Sequence, residues 1–137
     1  MQSGHTRILL SFAVLPLVSV AQPPSIDALA ACPDNFKLLL ENEHVRVLEY
    51  TLQPGERDQP HTHPPKVSYV VTGGTLRITT ADGKSFLAED AAGTATWAGA
   101  VGRHFVENVG KTPVRVVLVE VKSAAQLLPG SAATREQ

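Results

Sequence analysis

From Phe36 onward the chain is a succession of short runs in which apolar and polar positions alternate. HVRVLEYTL (His44–Leu52) mixes β-branched and polar residues in near alternation, and TPVRVVLVEVK (Thr112–Lys122) does so over a longer stretch. Successive side chains of a strand point to opposite faces, so such runs predict strands with one buried face. Phe36–Leu40, Val67–Thr72, Thr75–Thr80, Lys84–Ala88, Thr94–Trp97 and His104–Val109 read in the same way. Turn-like breaks separate them: Glu41-Asn42-Glu43, Pro54-Gly55, Gly73-Gly74, Asp82-Gly83, Ala92-Gly93, Gly99–Arg103 and Gly110-Lys111. Gly73-Gly74 and Asp82-Gly83 are hairpin signals, and Pro54-Gly55 suits a type II turn. No segment of this part has helical periodicity. Many short strands with glycine turns predict an all-β fold, a small antiparallel β-barrel of the jelly-roll kind.

The ends break the pattern. Arg7 precedes the apolar run Ile8–Val20, which is short for a bilayer span, and Ser19-Val20-Ala21 at its end places small residues at the −3 and −1 positions of a cleavage site. That reads as a signal peptide over 1–21, cleaved before Gln22, and implies an exported protein, periplasmic or secreted. A buried N-terminal helix is the other reading of the run, against which Pro16 and the turn-like QPPS after it both count. Leu29-Ala30-Ala31-Cys32 also resembles a lipoprotein box, which would anchor the chain through Cys32, although polar AQPPSID separates it from the apolar run. Residues 22–35 read as a linker or N-terminal arm, 36–122 as the barrel, and 123–137 as a flexible C-terminal tail.

Composition narrows the partners. The chain has 137 residues, 43% of them hydrophobic, with a net charge of −1. This suits one domain with a buried core and offers no single-sign field to steer a nucleic acid. The single cysteine excludes an intramolecular disulfide.

The candidate chemistry lies in histidines. His61 and His63 stand at i and i+2, so a strand places them on one face, about 7 Å apart along it. On its own such a pair also describes two polar residues on a solvated edge. His104 comes from a separate strand-like run and offers a third imidazole. Three imidazoles favour a divalent transition metal (Fe, Zn, Ni, Cu or Mn) over hard Mg or Ca.

The frame around these histidines resembles the cupin superfamily, whose two motifs read G-x5-H-x-H-x3-4-E-x6-G and G-x5-P-x-G-x2-H-x3-N. Gly55, His61, His63 and Gly74 match the first, and Gly93, His104 and Asn108 match the second. The resemblance covers roughly Glu41 to Lys122, and NEHVRVLEY, ENVG and VVLVEVK are similar to a group of small exported single-domain cupins. It implies a metal site of His61, His63 and His104 in the barrel mouth, a small-molecule ligand or substrate, and pairing into a homodimer through edge strands. The family's glutamate ligand falls on Val67, Gly99 stands for Pro, and Val101 for Gly. Three-histidine sites of this kind occur in cupin thiol dioxygenases. The resemblance therefore leaves two functions open: a metal-dependent oxygenase, or a barrel that binds a ligand or metal without turnover.

Other residues have lesser claims. Val67 and Tyr69 share parity with His63 if the strand resumes directly after Pro64-Pro65, and would then line the pocket; Pro65 could equally shift the register. Trp97 reads as a core aromatic or a cap on the barrel mouth. Asn108 shares parity with His104 and reads as a pocket residue that fastens the loop by hydrogen bonds. Glu107 points away from the histidines, towards a surface ion pair, and Arg103 is placed to meet an anionic substrate or plain solvent.

Overall fold

A computed structural model describes residues 24–122, so the signal sequence read at 1–21 and the tail read at 123–137 lie outside the described residues. Among the described residues, nine strands follow one short helix. The helix, α1, spans Ala28–Ala31, and the strands are β1 (Phe36–Glu41), β2 (Val45–Leu52), β3 (His61–His63), β4 (Lys66–Thr72), β5 (Gly74–Thr80), β6 (Ser85–Asp90), β7 (Ala95–Ala98), β8 (Val101–Asn108) and β9 (Val114–Val121). They form a five-stranded sheet, β1-β2-β9-β4-β7, and a four-stranded sheet, β3-β8-β5-β6. All neighbouring strands pair antiparallel. This is the all-β jelly-roll architecture that the alternation predicts.

Register sorts the interior of the five-stranded sheet into rows. Arg46, Glu120 and Lys66 are aligned across β2, β9 and β4; Leu48, Leu118 and Ser68 form the next row, then Tyr50, Val116 and Val70, then Leu52 and Val114. The four-stranded sheet follows the same gradient, with Thr80, His104 and His61 in one row, Ile78 and Val106 in the next, and Leu76 and Asn108 beyond. Apolar rows from both sheets merge into one core containing Leu48, Leu52, Val70, Leu76, Val106, Val114, Val116 and Leu118. One end of the interior is therefore apolar and the other polar.

Several turns differ in kind from their sequence reading. Gly73-Gly74 does not close a hairpin: β4 pairs with β7 and β9, whereas β5 pairs with β6 and β8. It is the crossing from one sheet to the other, and a Cβ on Gly73 would sit 2.0 Å from the Asp90 carbonyl oxygen. Close backbone approach requires glycine here. Asp82-Gly83 does close the β5–β6 hairpin, with Gly83 at φ +80°. The Gln53–Glu56 turn has Gly55 at φ +79°, as Pro54-Gly55 predicts. Within Gly99–Arg103, read as a loop, Val101 already belongs to β8 because it pairs with His63.

The described part of the arm is folded onto the barrel. Asp27 caps α1 by accepting from the Ala30 amide, and Ala28 and Cys32 are buried in the core. Ile26 and Thr62 exchange three hydrogen bonds of 2.8–3.0 Å, which ties the arm to the back of β3.

Candidate metal centre

The three histidines meet because β3 and β8 are neighbours, with His61 directly opposite His104. Alternation along β3 turns both rings inward, while Thr62 faces the arm, and the register shift between the two pairs falls on β8, where three residues span what two span on β3. All three are at most 7% exposed. Phe36 walls the cluster, with its ring edge-on to His61 at 5.3 Å and to His63 at 5.8 Å.

Each imidazole has an acceptor on its Nδ1. That atom of His61 lies 2.7 Å from the Gln59 carbonyl oxygen, that of His104 lies 2.8 Å from the Gly102 carbonyl oxygen, and that of His63 lies 2.7 Å from Glu120 Oε1. Carbonyl and carboxylate oxygens only accept, so in all three rings Nδ1 carries the proton and Nε2 presents a lone pair. Burial pushes every imidazole pKa down, that of His63 to about 4 even against its bond to Glu120. The rings are thus neutral near neutral pH.

This leaves a contact that the protein alone does not satisfy. Nε2 of His61 and Nε2 of His63 are 3.1 Å apart, with two lone pairs and no proton between them. One ligand atom from each of the three rings lies within 4.8 Å of the others. Metal–nitrogen bonds of about 2.0–2.1 Å at angles between octahedral and tetrahedral separate two ligand nitrogens by about 2.9–3.4 Å. The donor set, and the spacing of its His61–His63 pair, fit a divalent transition-metal ion.

Glu120, which the sequence reading passed over, is the support of His63. It is 1% exposed, and Arg46 Nε donates to its Oε2 at 2.8 Å. Burial alone would raise its pKa, but the hydrogen bonds from His63 and Arg46 and the charge of Arg46 hold it below the ordinary carboxylate value. Arg46 also bonds Asp27 in the arm at 2.6 Å. A continuous chain therefore runs from the arm through Arg46 and Glu120 to His63. Behind His61, Asp58 accepts from Tyr50 at 2.7 Å and from the Val106 amide at 2.7 Å.

The remaining site expectations are corrected by register. Lys66, Ser68 and Val70 face inward on β4, so Val67 and Tyr69 lie on the outer face, with Trp97 opposite Val67. Trp97 is 63% exposed and neither caps the mouth nor packs in the core. Pro64-Pro65 shift the parity of β4 relative to His63, so the inward residue beside Val67 is Ser68, and neither supplies a carboxylate. Asn108 is buried and is not among the residues lining the cleft beside His104: its amide donates to the Leu52 and Thr112 carbonyl oxygens and accepts from Gly110, which fastens the strand ends. Glu107 pairs with Arg77 on the surface at 3.6 Å. Arg103 borders a cleft of about 310 Å³ that His104 and Pro60 also line. Cys32 donates to the Gln59 carbonyl oxygen at 3.3 Å and is 2% exposed.

Comparison with known proteins agrees with this picture. A family model described as the cupin domain matches residues 48–120. No curated protein matches the chain. A cupin domain from Bordetella pertussis is 24% identical, with 77% of this chain and 100% of that chain covered and a TM-score of 0.60. A double-stranded β-helix protein of the RmlC-like cupin family from Methanocaldococcus jannaschii is 16% identical over 67% of this chain and 83% of that one, with a TM-score of 0.54. A conserved Klebsiella pneumoniae protein with a double-stranded β-helix domain is 23% identical over 66% and 77%, with a TM-score of 0.53. At these identities the likeness is one of fold.

Proposed function

The chain belongs to the cupin domain family, and on that premise we propose that His61, His63 and His104 hold a divalent transition metal that serves a small organic substrate. The observation that carries this reading is the convergence of three Nε2 lone pairs from rings whose Nδ1 protons are all committed elsewhere. Imidazole donors suit Fe, Zn, Ni or Cu, whereas Mn prefers oxygen ligands. When bound, such an ion activates dioxygen, polarises a substrate oxygen or lowers the pKa of bound water to about 7. The protein's own part is to fix three tautomers, to exclude bulk water with Phe36, and to admit a small molecule along the cleft beside His104. Oxygenation of a small organic acid or thiol is the reaction we favour.

Binding without turnover is the second reading. Both buried carboxylates near the centre, Glu120 and Asp58, are fixed by hydrogen bonds from two groups each in positioning roles, which favours this reading. Elemental analysis of wild type and of a His61→Ala/His104→Ala double variant tests the centre, with metal expected in the first after reconstitution and only background in the second. Oxygen uptake by the loaded protein with candidate acids and thiols then separates the readings. Uptake with none of them favours the binding module.

Export is part of the same proposal. Cleavage after Ala21 keeps the Ile26–Thr62 and Asp27–Arg46 bonds, whereas cleavage before Cys32 deletes them. This supports a soluble mature form starting at Gln22, and N-terminal sequencing of the exported protein checks it.

A further inference from the structure

Lys66 is a cation on the inner face of the barrel that the metal centre described above does not use. It is aligned with Glu120 across β4 and β9, and Glu120 is the residue that touches His63. Both oxygens of Glu120 are already engaged, one by His63 and the other by Arg46. The ammonium therefore turns to Ser68, donating to its Oγ at 2.9 Å. Among the described residues Lys66 makes no ion pair within 4 Å. Its charge nonetheless reaches all three imidazoles, disfavouring protonation of each.

Two features of this arrangement call for an anion. The first is hydrogen-bond inventory: an ammonium has three donors and a serine hydroxyl one, and the Lys66–Ser68 bond uses only one of the four. The rest have no acceptor among the described residues. The second is charge. A divalent ion held by His61, His63 and His104 brings two positive charges into an inner sphere of neutral rings, with no carboxylate ligand. Arg46 and Lys66 are matched by Glu120 and Asp27, and Asp58, 4.0 Å from His61, offsets one of the ion's two charges, so a net positive charge remains at the centre. Arg103, exposed at the cleft beside His104, adds a further cation next to that ligand in the chain.

We propose that the centre takes small carboxylate ligands, whose charge is met jointly by the metal, the Lys66 ammonium and the Ser68 hydroxyl. A carboxylate has two oxygens with about four lone-pair sites, enough to ligate an ion and accept from Lys66 and Ser68 at once. Neutral isosteres with the same shape lack the charge that the site selects. This inference rests on the metal-centre reading and narrows its substrate to an organic acid, in preference to a neutral thiol.

The test uses the full mature chain loaded with cobalt(II), whose visible absorption reports both binding of the ion and changes in its ligands. Acetate is titrated against acetamide as the neutral control, in wild type, Lys66→Met, Lys66→Arg and Ser68→Ala. Acetate is expected to change the spectrum saturably and acetamide to leave it unchanged. Lys66→Met is expected to weaken acetate by about tenfold or more while cobalt binds as tightly as before or tighter, because a like charge has been removed. A misfolded variant would lose both, so the opposite signs identify the role. Lys66→Arg retains acetate binding within about threefold, and Ser68→Ala weakens it about two- to fivefold. Wild type that binds cobalt but ignores acetate overturns the inference, as does Lys66→Met with wild-type acetate affinity. Should Lys66→Met fail to fold, Ser68→Ala at wild-type acetate affinity overturns it instead. No cobalt spectrum in wild type brings down the metal-centre reading, and this inference with it.

Discussion

The two ends of the barrel interior are built from the same strands and held together by different forces. At one end Leu48, Leu52, Val114 and Val116 fill the space between sheets, and each buried side chain contributes about 1.5–3 kcal/mol through removal from water. At the other end Arg46, Glu120, His61, His63 and His104 are joined by hydrogen bonds and charge. There the cost of desolvation cancels most of the attraction, so that a buried ionic network roughly breaks even. The apolar end therefore supplies stability, and the polar end is available for a task that stability does not require. Along β9 the change takes one step, from Leu118 to Glu120.

The contrast is broken most forcefully from the apolar side. Leu48 is fully buried, and Leu48→Ala is expected to cost about 2–5 kcal/mol, from lost burial and the cavity left behind. Measured by urea denaturation, the loss should come with little change in metal affinity of the folded protein. A variant that folds normally but binds metal tenfold worse would show the two ends to be coupled.

Glu120→Gln strikes the polar end with the opposite signature. The amide can still accept from His63, but Arg46 loses its buried counter-charge, for a stability cost of about 1–3 kcal/mol. The larger readout is metal affinity, expected to fall about 10–100-fold as His63 loses its carboxylate support. Competition with a chelator measures it. Unchanged affinity would mean that Glu120 is only structural.

How much of this can be read from the chain depends on whether local rules decide the matter. Strand alternation and the Gly-x5-His-x-His spacing are local, and they lead to the jelly roll and to the residues of the histidine cluster. Glu120 was also visible in principle. On β9 it shares parity with Val114, Val116 and Leu118, and a lone carboxylate on an otherwise apolar face needs a buried partner. Arg46 gives the matching signal on β2 beside Leu48 and Leu52. Lys66 and Ser68 were hidden by Pro64-Pro65, because two prolines between strands erase the parity that carried Val67 and Tyr69 into the pocket on paper. Gly73-Gly74 misled for a related reason: glycine signals backbone freedom, and the sequence does not say whether that serves a hairpin or a close crossing. The burial of Cys32 depends on α1 docking, which four residues could not announce.

The smallest effect tests whether the arm belongs to the polar end. Asp27→Asn keeps the helix cap, since Asn caps as well as Asp, and removes only the charge facing Arg46. Asp27 is 44% exposed at its side chain, so screening limits the expected loss to about 0.5–1 kcal/mol. Burial works to raise its pKa, but the bonds from Arg46 and Ala30 and the charge of Arg46 outweigh that and hold it below the ordinary carboxylate value. A carboxylate with a depressed folded-state pKa stabilises the fold above its unfolded value and loses that contribution as pH falls through the folded one. The stability difference between wild type and Asp27→Asn is thus expected to be constant above about pH 5 and to shrink as the pH drops below about 4. A difference that persists unchanged into acid would assign it to packing of the arm, and would detach Asp27 from the chain of charges that ends on His63.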